Sequence, residues 1–198
     1  MKDPGVPSRS SATDTPTPVS PAAPTWRVEV LGERDVAALR ALKLEACSSH
    51  PTQFAYGPDD VLAASAGVIC PGMDPEAVDR AIGVYCDGEL QGMAEFVRAP
   101  GAKSRHLGEM KSVYVTPRLR GTGAAKALVG ELVRYASRHV DLLCAAVGVD
   151  NVAARALYAG YGFTSYGVHP GMIRVDGRDV PGELLSLTIR RPEPSVPD

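Results

Sequence analysis

Apolar and polar positions along the chain follow two rhythms, and the order in which they alternate predicts strands with helices set between them. Trp26, Val28 and Val30 are separated by charged residues, the two-residue period of a first strand. From residue 36 the spacing becomes helical. Val36, Leu39, Leu42 and Ala46 fall on one face up to Cys47, Asp35 stands where a cap belongs, and Ser48-Ser-His-Pro51 breaks the pattern. Segments 81–86 and 89–98 read as strands joined by Asp87-Gly88, a pair suited to a tight hairpin. Residues 106–115 return as the third strand of an antiparallel meander that begins at residue 81. Ala125, Leu128, Val129, Leu132 and Ala136 then recur at helical spacing. The run 142–149 is apolar without interruption, as a strand covered on both faces requires. Asp150-Asn151 is placed to cap a helix over 152–159. The segments 163–175 and 184–189, joined by Asp176-Gly177, predict a closing hairpin.

Two regions read less regularly. Asp74-Pro75-Glu76 has the residues of a helix start and predicts about two turns of helix. Segment 51–72 carries Phe54 and Tyr56 among breakers and has room for only a short helix over 59–66, so it is expected to face a substrate. Residues 99–105 form a polar loop with Lys103 and Arg105. No internal repeat is visible.

Composition narrows the setting. Residues 1–24 are rich in Pro, Ser, Thr and Ala and nearly lack large apolar side chains, so they are expected to be a disordered tail. One domain is expected over 25–190, with a short charged, Pro-rich tail over 191–198. A formal charge of −2 gives no general attraction to nucleic acid or an anionic membrane, and neither partner is expected. No apolar run approaches the roughly 20 residues of a membrane span, and the N-terminus lacks a signal-peptide core, so a cytoplasmic location is expected. Cys47, Cys70, Cys86 and Cys144 lie far apart, without CxxC or paired-His spacing; they read as reduced core thiols, and no metal site is expected.

The candidate chemistry sits between the third strand and the helix that follows. Val113 through Val129 reads as strand, glycine-containing loop and helix start. Gly121 and Gly123 permit backbone conformations closed to other residues, and the helix start offers unpaired N–H groups and the positive end of a dipole. Arg118 and Arg120 add charge, so the loop suits a diphosphate. A P-loop would need Lys followed by Ser or Thr, but Lys126 is followed by Ala127. A dinucleotide fingerprint would need a third glycine where Lys126 stands, and a βαβ unit rather than a meander; Asp141 does fall where a ribose-binding acid could lie. A purely structural turn remains open on these residues alone.

Asn151-x-x-Ala154-x-x-Leu157-Tyr158-x-x-x-Gly162-Phe163 follows the loop. Together with Arg120-x-x-Gly123-x-Ala125, it resembles the GCN5-related N-acetyltransferase (GNAT) superfamily, whose pyrophosphate loop reads Arg/Gln-x-x-Gly-x-Gly/Ala. The resemblance covers about residues 25 to 190 and the order of elements. It implies an α/β (α+β) fold with a mixed, mostly antiparallel, V-splayed sheet flanked by helices, and acetyl-CoA entering at the splay.

The resemblance also implies roles. Val113, Tyr114 and Val115 would lie beside the pantetheine arm and acetyl group, with a main-chain N–H near Val115 polarising the thioester carbonyl. Arg120, Gly121, Thr122, Gly123, Ala124 and Ala125 would hold the pyrophosphate. Asn151 would cap its helix, contact the cofactor, or do both. Tyr158 would protonate the departing thiolate, with a core tyrosine as the ordinary alternative and Tyr161 as the nearby fallback. Glu109, on the strand leading to the acetyl site, is the candidate base, with His106 and Glu95 as alternatives. Strand alternation puts Glu109 on the face of Lys111, Val113 and Val115 unless a bulge intervenes. The expected activity is direct acetyl transfer to a primary amine of a small molecule or peptide. Another acyl-CoA, a hydroxyl acceptor, or a CoA-binding sensor without turnover stays open. Many relatives dimerise, so a homodimer is admitted.

Overall fold

The structure, a computed structural model, describes residues 24–74 and 76–189. The expected tails therefore lie outside the described residues, apart from Pro24. The chain runs β1 (Trp26–Val30), α1 (Val36–Ser49), α2 (Pro58–Ala63), α3 (Ala66–Ile69), β2 (Arg80–Cys86), β3 (Glu89–Arg98), β4 (Leu107–Val115), α4 (Ala124–Ala136), β5 (Leu142–Gly148), α5 (Val152–Ala159), β6 (Thr164–Val175) and β7 (Arg178–Thr188). The strands form a single mixed sheet in the order β1-β2-β3-β4-β5-β7-β6. Asp87 and Gly88, and again Asp176 and Gly177, all have positive φ, the pair of left-handed residues that a tight hairpin turn requires.

The sheet separates two apolar clusters. On one side Leu128, Val129, Leu132 and Ala136 of α4 pack with Phe96, Met110, Leu143 and Tyr158. On the other, Leu39, Leu42 and Ala46 of α1 pack with Met93 and Tyr114. Strands β1 to β4 are antiparallel, as are β5, β7 and β6, so β4 with β5 is the single parallel seam. That seam pairs only four residues, from Leu107↔Leu142 to Met110↔Ala145. β4 runs on to Val115 and β5 to Gly148 without pairing, which is the V-shaped splay.

Several expectations change. No helix follows Asp74; its carboxylate accepts from Glu76 N–H at 2.9 Å and closes only a turn, because the chain must already be extended at Arg80 to enter β2. Asp35 does not cap α1 by its side chain. It accepts from Gly32 N–H at 2.8 Å and the Tyr85 hydroxyl at 2.6 Å, steadying a 3-10 turn before the helix. Val30, expected on the buried side, is 49 % exposed at the end of the edge strand. β7 starts six residues before the expected 184, because Pro181 sits opposite the irregular stretch between His169 and Ile173, where β6 slips register and no ladder donor is needed. Among the described residues, no helix is long and apolar enough to cross a membrane.

Candidate active site

The splay opens a cleft of about 780 Å³, within the roughly 300–1,000 Å³ usual for small-molecule sites. One wall is β4 from Met110 to Val115, the other is the end of β5 with Asn151, Ala154, Leu157 and Tyr158 of α5. The loop before α4 forms one end, through Arg120, Gly121, Gly123 and Ala125. His50, Gln53 and Phe54, from the segment after α1, close the opposite side.

The loop bends through two left-handed glycines into the start of α4. Gly121 and Gly123 have φ of 76° and 86°, and a Cβ placed at Gly121 would meet nothing within 4 Å. The first turn of α4 presents main-chain N–H groups without intrahelical acceptors. Arg120 meets only His50, its guanidinium 3.3 Å from Nε2, and pairs with no carboxylate among the described residues. Arg118 is instead tied to Asp87 at the β2–β3 turn. Thr122 and Ala124 do not line the cleft by their side chains: the Thr122 hydroxyl donates to Leu119 C=O at 2.8 Å, and Ala124 is buried in the core. These residues fit a diphosphate-bearing ligand.

A bulge in β4 shapes the wall of the cleft. Met93 faces Tyr114 but Glu95 faces Lys111, so two steps on β3 oppose three on β4. The extra residue falls at Ser112, whose φ is 53°, a conformation costing about 1–3 kcal/mol for a residue with a side chain. Ahead of the bulge, Ala99 N–H bonds Leu107 C=O at 3.0 Å; beyond it, Thr116 N–H bonds Gln91 C=O at 2.9 Å. Continuing the first phase would have paired Gln91 with Val115. The slip hands that bond to Thr116, and antiparallel alternation then turns Val115 N–H away from β3, toward the splay. Because β5 no longer pairs there, that donor faces the cleft.

The same slip corrects the expected face of Glu109. Glu109 and Lys111 share the α1 side of the sheet with Glu95 and Tyr114, whereas Met110, Val113 and Val115 join the core under α4. Glu109 is exposed, stands just outside the lining of the cleft, and pairs with Cys144, one step before the seam ends. Of its alternatives, His106 precedes β4 outside the cleft, and Glu95 is 2 % exposed and ion-paired with Lys43.

Tyr158 is buried, yet its ring lines the cleft and its hydroxyl bonds no other described residue. Burial pushes its pKa well up, so it keeps its proton. Tyr161 is committed elsewhere, its hydroxyl donating to Lys126 C=O of α4. The Tyr114 hydroxyl donates to Glu45 at 2.8 Å, and burial followed by that carboxylate pushes its pKa up to about 12. Burial also raises Tyr56. Each of these phenols holds its proton more tightly folded than unfolded, so their stabilising effect is complete below the unfolded value of about 10 and is lost as pH climbs through the folded values. The four buried or half-buried thiols are shifted the same way, from a lower unfolded value of about 8.5, so melting midpoints are expected to hold to about pH 8, to decline from there and to fall more steeply above about 9.5; midpoints unchanged to pH 11 would contradict these environments.

Asn151 does what the sequence anticipated of a cap: its Oδ1 accepts from Ala154 N–H at 3.1 Å. Its Nδ2 also donates to Gln53 Oε1 at 2.9 Å, bridging the mouth of the splay. Gln53 and His50 were not legible in the sequence, because they sit in an irregular segment and reach the cleft only through the path taken after α1.

The sequence matches the model of the Acetyltransferase (GNAT) family over residues 47–163. A search of curated proteins finds no sequence match. Among solved structures, the fold resembles an acetyltransferase of the GNAT family from Streptococcus pneumoniae, with TM-score 0.73 and 17 % identity over 84 % of this chain and 100 % of that one. A putative acetyltransferase from Salmonella typhimurium, solved with its cofactor acetyl-CoA, gives TM-score 0.71 and 21 % identity over 87 % and 98 %. The ribosomal-protein-alanine N-acetyltransferase of Brucella melitensis gives 0.68 and 23 % over 82 % and 99 %. At these identities the structural likeness speaks for the fold. The family match takes in more than half of the chain, with both the glycine loop and the Asn151–Phe163 block, and the chain belongs to the GNAT acetyltransferase family.

Proposed function

We propose that the protein transfers an acetyl group from acetyl-CoA to a primary amine of a small molecule or peptide, directly within a ternary complex. The observation that carries this reading is the cleft at the β4–β5 splay, which has an anion cradle at one end and a freed main-chain donor at the other. Arg120, the N–H groups of Gly121, Gly123 and Ala125 and the α4 dipole hold the pyrophosphate. The unpaired edge of β4 over Val113–Val115 offers backbone partners to the pantetheine arm. Bound acetyl-CoA supplies an activated acyl thioester. Val115 N–H stands as a fixed donor for the oxygen on which charge develops, an effect of about 3–4 kcal/mol where such donors have been removed.

The amine arrives on the α1 side, past Phe54 and the exposed face of β5. An alkyl ammonium of pKa about 10.4 must lose a proton before it attacks. Glu109 takes that proton, directly or through water: it lies on the acceptor's face, beside the point where the strands part. Tyr158 gives its proton to the departing sulfur. A covalent acyl-cysteine is disfavoured, because all four thiols have raised pKa values, Cys144 through burial and then the neighbouring Glu109.

Thiol release from acetyl-CoA with a panel of amines tests the reading. Folded protein that binds acetyl-CoA and releases no thiol with any acceptor would mark a sensor instead. For Glu109→Gln, turnover at pH 7 is expected to drop roughly tenfold, since water partly replaces an exposed base. Its rate should then climb with pH as the free amine does, more steeply than in the parent. Parallel pH profiles would remove Glu109 from the role.

A further inference from the structure

Ser112 is one of three non-glycine residues with positive φ among those described. The other two, Asp87 and Asp176, precede glycines in hairpin turns that demand this conformation. Ser112 lies in the middle of a strand, so something nearby must hold it there. Its hydroxyl donates to Glu95 Oε2 at 3.0 Å. Glu95 is 2 % exposed and ion-paired with Lys43 of α1, which is 5 % exposed and lies 5.5 Å from the centre of the Tyr56 ring. A buried ion pair gains little net stability over apolar packing, so its presence directly behind the bulge calls for another reason.

We propose that Lys43 and Glu95 act through the Ser112 hydroxyl as positioning residues that lock the β4 bulge and so hold Val115 N–H toward the acyl group. The proposal rests on the reading of Val115 as the oxyanion donor. A straight β4 would return Val115 N–H to Gln91 and turn its side chain to the α1 face, removing the donor and refilling the cleft wall at once. Glu95 is not itself the base. Its carboxylate is already held by an ammonium and a hydroxyl, and it does not line the cleft.

Two substitutions separate conformation from chemistry. Ser112→Ala keeps a Cβ in the left-handed region and loses the tether; kcat should fall roughly tenfold or more, with a smaller change in KM for acetyl-CoA. Ser112→Gly also loses the hydroxyl, but glycine adopts positive φ without strain, so kcat should recover most of that loss. If glycine is as impaired as alanine, the hydroxyl is needed for itself and the positioning role is overturned; an active Ser112→Ala overturns it too, unless amide exchange has moved. Amide hydrogen exchange on the ligand-free protein gives the second readout. In the parent, Thr116 N–H should be protected and Val115 N–H should exchange quickly; Ser112→Ala should reduce or invert that contrast. A changed exchange pattern with unchanged kcat would keep the tether and sink the oxyanion reading. A lowered kcat with an unchanged pattern would do the reverse.

Discussion

Replacing Tyr158 by phenylalanine is expected to lower kcat by about 10²–10⁴, the range that a positioned general acid supplies. The ring packs against Phe163, with centroids 5.8 Å apart, and phenylalanine preserves that contact, so the fold should hold. Affinity for CoA should change by no more than about fivefold, the equivalent of a hydrogen bond of about 1 kcal/mol. Steady-state thiol release and calorimetric titration measure the two quantities separately. Because burial raises the phenol's pKa, the parent's acid should not begin to titrate away below about pH 10. Unchanged turnover in the variant would return Tyr158 to the ranks of ordinary core tyrosines.

Gly123→Val should act on binding. At φ of 86° a β-branched residue is strained by about 1–2 kcal/mol, and its side chain stands where α4 begins to offer its N–H groups. The nearest atom to a Cβ there is Trp26 Cζ2 at 4.0 Å, so the domain has room to fold. We expect the melting midpoint to fall by roughly 2–8 °C, while affinity for acetyl-CoA drops more than about tenfold. Titration calorimetry beside a thermal melt distinguishes the two effects. Retained affinity would take the phosphate cradle away from this loop.

The order of strands and helices was readable because the apolar periods are clean and punctuated by Asp-Gly turns. Gly121 and Gly123 announced their positive φ by being glycine. Ser112 announced nothing: its left-handed conformation comes from Glu95 and Lys43, which are distant in sequence and meet it only in the folded sheet. The bulge it creates is why Glu109 ends on the face opposite Val113 and Val115. Arg118 and Arg120 were indistinguishable as charges, and only the fold gives one to Asp87 and the other to the cleft. The missing helix after Asp74 shows a cap without an apolar face to follow it, which does not suffice.

The brevity of the parallel seam has a consequence for how much active protein exists. Four residue pairs are all the ladder that joins the two antiparallel halves, and the Asn151–Gln53 contact spans the gap beyond them. A ligand lodged between β4 and β5 and bonded to both walls strengthens the joint by mass action. At a hundred times its Kd, that is worth about 2.7 kcal/mol of folding stability. Chain that is unfolded is chain open to proteolysis, so the standing amount of the protein would rise and fall with the supply of its own acyl donor.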